Sequence, residues 1–227
     1  MDNVTLLLVE GASEEIVLRS ILPKTIIVIG TEGDLFTKFD KVNSNMVERL
    51  DSFLRLPRIH DLFRYKNVVK IAYLIDTDGC FINKSKYKSH YSYPGFKYTS
   101  HNIIGQSVKQ IDSRNKIKVE NIEYLMSESK NFEIPFSLYY MSCNFDHVMF
   151  GVRNLNPKLK TINSYDLARS LRYGEITLED ILKHSGFEGS YEESWQHIRE
   201  GDNSLSKCTN FNIFLRNMTL NKLDFGR

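Results

Sequence analysis

Three apolar runs of strand length, each stopped abruptly, constrain this chain more than anything else in it. Residues 4–9 (VTLLLV), 25–29 (TIIVI) and 68–75 (VVKIAYLI) show little of the polar alternation of a half-exposed strand, and runs of that kind are covered on both faces. Strands covered on both faces belong in a parallel sheet flanked by helices. The first run leads directly into Glu-Gly-Ala-Ser and then a helical pattern over 14–22, where Ile16, Val17, Ser20 and Ile21 recur on one face and Ser13 is the expected N-cap. Gly30 and Gly33 end the second run, and Asp76-Thr77-Asp78-Gly79 ends the third. A helical stretch lies between them, with Met46, Leu50, Phe53 and Leu54 on one face and Pro57 interrupting it.

Residues 122–126 and 136–141 are two further strand candidates. Beyond Asn163 the pattern is helical over 165–171, 178–184, 191–199 and 211–218, punctuated by Gly174, Gly186, Gly189 and Gly201. The expected organisation is an α/β core over 1–152 with helices on both faces of a parallel sheet, a basic and aromatic insertion at 81–118, and a C-terminal helical extension over 153–227. A chain of 227 residues, 41% hydrophobic and 26% charged, can bury a full core without crosslinks. Cys80, Cys143 and Cys208 are widely separated, with no C-x-x-C and no paired histidines nearby, so neither a disulfide framework nor a zinc site is expected. No apolar run approaches the roughly 18 residues of a membrane span, and Asp2 and Glu10 interrupt any secretory signal, so a cytoplasmic location is expected.

Charge is unevenly spread. Between Phe81 and Lys118 stand eight basic residues (Lys84, Lys86, Lys88, Lys97, Lys109, Arg114, Lys116 and Lys118) against the single acid Asp112, whereas the remainder carries 22 basic and 27 acidic residues. Phe81, Tyr87, Tyr91, Tyr93, Phe96 and Tyr98 are interleaved with them. Lysines neutralise phosphates and tyrosines stack on unpaired bases, so the mixture suits a polynucleotide better than a small acid. Lys84, Lys86, Lys88 and Lys97 are the expected backbone contacts, with Tyr87 or Tyr91 stacking on bases. The plainer alternative is a solvated basic loop.

Ligands of an open α/β sheet gather at the carboxyl ends of its strands. Glu10 closes the first apolar run, and Asp76 and Asp78 close the third, 66 residues later. Two residues apart in an extended strand, Asp76 and Asp78 would point to the same side, with Gly79 free to turn behind them. If these strands are neighbours, three carboxylates meet. Such a cluster needs a cation, and hard oxygen donors suit Mg²⁺. Turn formation is the ordinary alternative for Asp-x-Asp-Gly.

At these residues the chain resembles the TOPRIM family, which includes the catalytic domains of topoisomerases and primases and the OLD-type and RloB-like nucleases. LLLVEGASEE at 6–15 is similar to its strand-Glu-Gly-x-x-acid motif, and AYLIDTDG at 72–79 to its strand-Asp-x-Asp motif. The resemblance implies that Glu10 is a general acid or base, that Asp76 and Asp78 bind Mg²⁺ or Mn²⁺, and that Glu14 helps with a second ion. SLYYMSCNFDHVMFG at 137–151 more loosely resembles the Ser-Asn-Pro-Cys-Phe-Glu segment of RloB-like proteins, although it lacks the Pro and has Asp for Glu; this would bring Asp146 near the metals. A metal-dependent endonuclease of DNA or RNA follows, by in-line attack of an activated water on a phosphodiester. OLD-type nucleases combine this core with an ATPase, and no GxxxxGK[ST] loop occurs in this sequence, so the resemblance implies a separate ATPase partner and a setting in antiviral defence.

Two other readings compete. The first is a non-catalytic subunit that binds nucleic acid or a partner through the same core. The second is a HAD-type phosphatase with Asp76 as nucleophile, whose second acidic pair would be Glu179 and Asp180; it leaves Glu10-Gly11 unexplained. His147 beside Asp146 is expected to be a surface or core histidine. Trp195 and the FNIF run at 211–214 are expected in the core.

Overall fold

The structure, a computed structural model, describes residues 2–37, 46–129 and 132–224. Among them are the strands β1 (Asn3–Val9), β2 (Ile26–Gly30), β3 (Asn67–Asp76), β4 (Tyr87–Ser89), β5 (Lys97–Tyr98), β6 (Ile103–Gly105) and β7 (Phe136–Met141). The helices are α1 (Ala12–Ile21), α2 (Met46–Leu54), α3 (Pro57–Tyr65), α4 (Val108–Glu128), α5 (Phe145–Phe150), α6 (Pro157–Arg172), α7 (Leu178–Leu182), α8 (Tyr191–His197) and α9 (Phe211–Asp224). The chain forms two compact units: 1–75, 114–138 and 156–175 make the first, and 76–113, 139–155 and 176–227 the second. The 153–227 segment is thus shared, its α6 belonging to the first unit and α7–α9 to the second.

The first unit is organised by a parallel sheet in the order β2-β1-β3-β7, flanked by helices. β1 is central and Leu6, Leu7, Leu8 and Val9 are almost wholly buried, as the absence of polar alternation requires. Each such side chain contributes roughly 1.5–3 kcal/mol by leaving water. Val9 pairs with Gly30 of β2 and Leu74 of β3, so all three strands end along one carboxyl edge. α1 follows β1 at once, with Gly11 as N-cap; Ser13, the expected cap, lies inside the helix, and no side chain caps it. Gly11 also leaves room for Glu14, since a Cβ there would stand 2.8 Å from the Glu14 carboxylate. Pro57 does interrupt the helical stretch: it opens α3 as the residue whose missing N–H costs nothing at a helix start. α6, opened by Pro157 and capped by Asn156, packs against α1.

Residues 122–126 are helical, not a strand. They lie in α4, where Ile111, Asn115, Lys118, Ile122 and Leu125 are buried at alternating spacings of four and three, the stripe of a packed helix.

The second unit contains a small sheet in the order β4-β6-β5, with β4 parallel and β5 antiparallel to β6. Tyr87, Ile103, Ile82, Ile111, Cys143 and Leu205 form the cluster beneath it. Trp195 packs edge-on to Tyr140, and Phe211 and Phe214 are fully buried, as expected of core residues. α7 and α8 are each opened by a capping box, Thr177 with Asp180 and Ser190 with Glu193. Asp180, half of the acidic pair that a HAD-type reading needs, therefore serves its own helix start. Cys80 and Cys143 are buried and Cys208 half-buried, all three as free thiols. Among the described residues, no helix is long and apolar enough to cross a membrane.

Candidate functional site

In the first unit the carboxyl edge carries a buried ion group. Glu10 follows β1 and is 7% exposed. The ammonium of Lys118, from α4, is wholly buried, 3.0 Å from Asp34 Oδ2 and 3.8 Å from Glu10 Oε1. Asp34 stands in the loop after β2 and is held by three further features: its carboxylate accepts from the Phe36 N–H at 2.7 Å and the Thr37 hydroxyl at 2.8 Å, and Asn121 anchors the Phe36 carbonyl at 2.8 Å. The first of these is an Asx turn, in which an Asp side chain caps its own loop. The Glu10 carbonyl accepts from the Gly33 N–H at 2.7 Å, tying the ends of β1 and β2 together. Beneath lies Tyr73 of β3, fully buried, its hydroxyl 3.4 Å from Thr31 Oγ1. Burial, and then the negative charges of Glu10 and Asp34, push the Tyr73 phenol well above its ordinary range, so it is a neutral hydrogen-bonding group. Glu14 is also buried, against Gly11.

Sequence reasoning missed Lys118 as the ammonium that Glu10 and Asp34 share. Lys118 was grouped with the exposed basic segment, although its place in the buried stripe of α4 was the available signal.

In the second unit the acidic motif is a tightly specified turn. Asp76 Oδ1 accepts from the Phe145 N–H, the first residue of α5, at 2.7 Å. Thr77 points into the core, where its hydroxyl accepts from the Cys143 N–H at 2.9 Å and donates to the Ser204 carbonyl at 3.1 Å. Asp78 does not continue the strand, so it does not share a face with Asp76 in the extended manner expected. It adopts φ 52°, in the left-handed region, and its N–H donates to the Cys143 carbonyl at 2.7 Å. Asp78 Oδ1 accepts from the Tyr98 hydroxyl at 2.9 Å. Tyr98 is itself fixed by Asn154, whose side chain accepts from its N–H at 2.8 Å and donates to its carbonyl at 2.7 Å. Gly79, at φ 67°, completes the turn under Leu205. Non-glycine residues held at positive φ concentrate at working sites, where the surroundings over-determine them.

Asp146 is buried in α5, one residue beyond Phe145. His147 is also buried, 3% exposed, and its Nδ1 has no hydrogen-bond partner among the described residues. Burial, then the charges of Arg153 and Lys207, bring it down to about 4, so it is a neutral core histidine.

Among the described residues, no group of three or more His, Cys, Asp or Glu side chains is placed to hold a metal ion. The donor chemistry of Asp76 and Asp78 fits a hard divalent cation: both are carboxylates on a rigid turn, oriented by fixed protein donors. Glu10 differs, because an ammonium already stands beside it.

The expected nucleic-acid residues divide sharply. Tyr87 is 7% exposed and packs in the core beneath the small sheet, so it offers no ring face to a base; that expectation is corrected. It occupies a strand position facing inward, a placement that sequence spacing did not reveal. Lys84 pairs with Asp112 at 2.8 Å and Lys86 with Asp202 at 3.6 Å. Lys88, Lys97 and Tyr91 are exposed.

Fold and site together define an α/β protein with acidic residues at the carboxyl ends of parallel strands. Compared with protein-family models, curated proteins and solved structures, the chain matches none of them.

Proposed function

We propose that this chain is a cytoplasmic, metal-dependent phosphodiesterase that cuts DNA or RNA. The observation that carries the reading is the sheet register: β1 and β3 are adjacent and parallel, Val9 stands opposite Leu74, and each strand runs into an acid within two residues of that pair. Asp76 and Asp78 would hold Mg²⁺ or Mn²⁺, which when bound supplies positive charge against phosphate oxygens. Glu10, kept beside the ammonium of Lys118, is the proton-handling group. Tyr98 and the Phe145 N–H orient the two aspartates. A separate ATPase partner and a role in antiviral defence extend this reading through the TOPRIM resemblance alone. The second reading, a non-catalytic nucleic-acid-binding subunit, is favoured by the lysine that already neutralises Glu10.

Two measurements test the proposal. Supercoiled DNA, single-stranded DNA and bulk tRNA are incubated in Mg²⁺, Mn²⁺ or EDTA with wild type, Glu10→Gln and Asp76→Asn. Metal-dependent cutting lost in both variants is the expected result. Mn²⁺ titration by calorimetry should show heat that Asp76→Asn with Asp78→Asn abolishes and Glu10→Gln retains. Absence of both cutting and heat in wild type overturns the catalytic reading in favour of the subunit.

A further inference from the structure

The small sheet of the second unit sorts its residues into two rows. Tyr87, Ile103 and Tyr98 lie opposite one another across β4, β6 and β5, as do Lys88, Ile104 and Lys97. Neighbours across a sheet share a face and successive residues alternate, so the two rows face opposite ways. The Tyr87 row packs on the core. The Lys88 row therefore faces solvent, with both lysines exposed and Ile104 half-covered between them. At 4.7–4.9 Å per strand, the lysine backbones stand about 10 Å apart. Lys84 and Lys86 have acidic partners, whereas neither Lys88 nor Lys97 makes an ion pair among the described residues.

An aromatic pair adjoins this face. The His90 N–H donates to the Gly105 carbonyl at 2.8 Å, carrying the β4–β6 ladder one residue further, and by alternation His90 falls on the lysine face. Its ring stacks on Tyr91, with centroids 6.2 Å apart and planes 9° from parallel, and Tyr91 is 88% exposed. β5 also links the face to the acidic turn: Lys97 points outward while the next residue, Tyr98, reaches Asp78.

We infer that the Lys88–Ile104–Lys97 face with Tyr91 is a platform for single-stranded nucleic acid, the two ammonium groups contacting its phosphates and Tyr91 stacking on an unpaired base. A duplex offers phosphates but keeps its base faces covered, so it engages only half of this arrangement. The inference rests on the nuclease reading for its purpose and names the substrate class of that site.

The test is fluorescence anisotropy of a labelled single-stranded oligonucleotide, and of the duplex of the same sequence, in EDTA, where cutting does not enter. The single strand should bind more tightly. Lys88→Ala with Lys97→Ala should lower the slope of log K against log salt by about 1.4, at about 0.7 per lost single-strand phosphate contact. Tyr91→Ala should weaken the single strand about tenfold or more. The paired control Lys84→Ala with Lys86→Ala should leave the slope unchanged. Equal binding of duplex, no effect of Tyr91→Ala, or an equal slope loss in the control overturns the platform. So does loss, in the Lys88/Lys97 variant, of binding to phosphatidylserine vesicles with oligonucleotide binding intact, which would make this a membrane face. Platform binding in EDTA with no cutting in Mn²⁺ fails the nuclease reading alone; cutting with binding unchanged in the Lys88/Lys97 variant fails the platform alone.

Discussion

Replacing Lys118 with Met keeps the length of a side chain that is wholly buried and removes only its charge. At an effective dielectric of about 20, the ammonium attracts Asp34 at 3.0 Å and Glu10 at 3.8 Å by about 5.5 and about 4.4 kcal/mol. Much of that gross attraction offsets the several kcal/mol that each ion loses on leaving water, so the group as a whole contributes little. Removing the lysine alone is different, because two carboxylates in each other's field lose the ammonium that they share. The expected loss is roughly 3–5 kcal/mol, or roughly 6–20 °C in melting temperature for a chain of this size. Urea unfolding followed by circular dichroism at pH 7 measures it. In an Asp34→Asn background the same substitution should cost at least about 1 kcal/mol less, since one of the two carboxylates is gone. A loss below about 1 kcal/mol, or one indifferent to Asp34, would refute the claim that Lys118 is the counter-charge of this edge.

Gly79→Ala should cost about 2–4 kcal/mol in the same assay, from a left-handed backbone and a Cβ that would stand 2.5 Å from Leu205 Cδ2. Gly151→Ala, also left-handed but with nothing near its Cβ, should cost only about 1–2 kcal/mol, and equal losses would remove the packing argument. His147 is lowered in the fold from 6.5 to about 4, so protons bind the unfolded chain first and stability falls as the pH drops from about 6.5 toward 4. Between pH 7 and pH 5 the contribution is at most about 2 kcal/mol. His147→Asn should flatten that limb, and a profile parallel to wild type would show that the buried ring does not set it.

Strands were the most legible part of the fold, for a reason visible in β1, β3 and β7: a strand covered on both faces has few polar positions to confuse the reading. Glu10 and Asp76 were legible as strand ends, because each apolar run stops there at an acid. α4 was not, because two of the five buried positions in its stripe are Asn115 and Lys118, polar residues that tertiary partners make tolerable. Residues 122–126, read without that stripe, look like an isolated apolar strand. β4, β5 and β6 were equally hidden, since two or three residues are too few to show a period of two. Tyr87 was misassigned on that account.

The basic segment shows how the fold changes what a charge count means. Eight basic residues against one acid suggest a surface that would release many counterions on meeting a polynucleotide. In the fold, Lys84 and Lys86 are offset by Asp112 and Asp202, Lys116 lies 3.7 Å from Glu120, and Lys118 is withdrawn from solvent altogether. Lys88 and Lys97 are the two aligned on an open face with no acid beside them. A salt slope counts phosphates neutralised, so it distinguishes the two descriptions directly. Seven contacts to a single strand, all but the buried Lys118, would give a slope of about −4.9, and two would give about −1.4. The steep value would mean that the partners of Lys84, Lys86 and Lys116 yield to phosphate; the shallow one that most of the segment's charge is spent on holding the protein together.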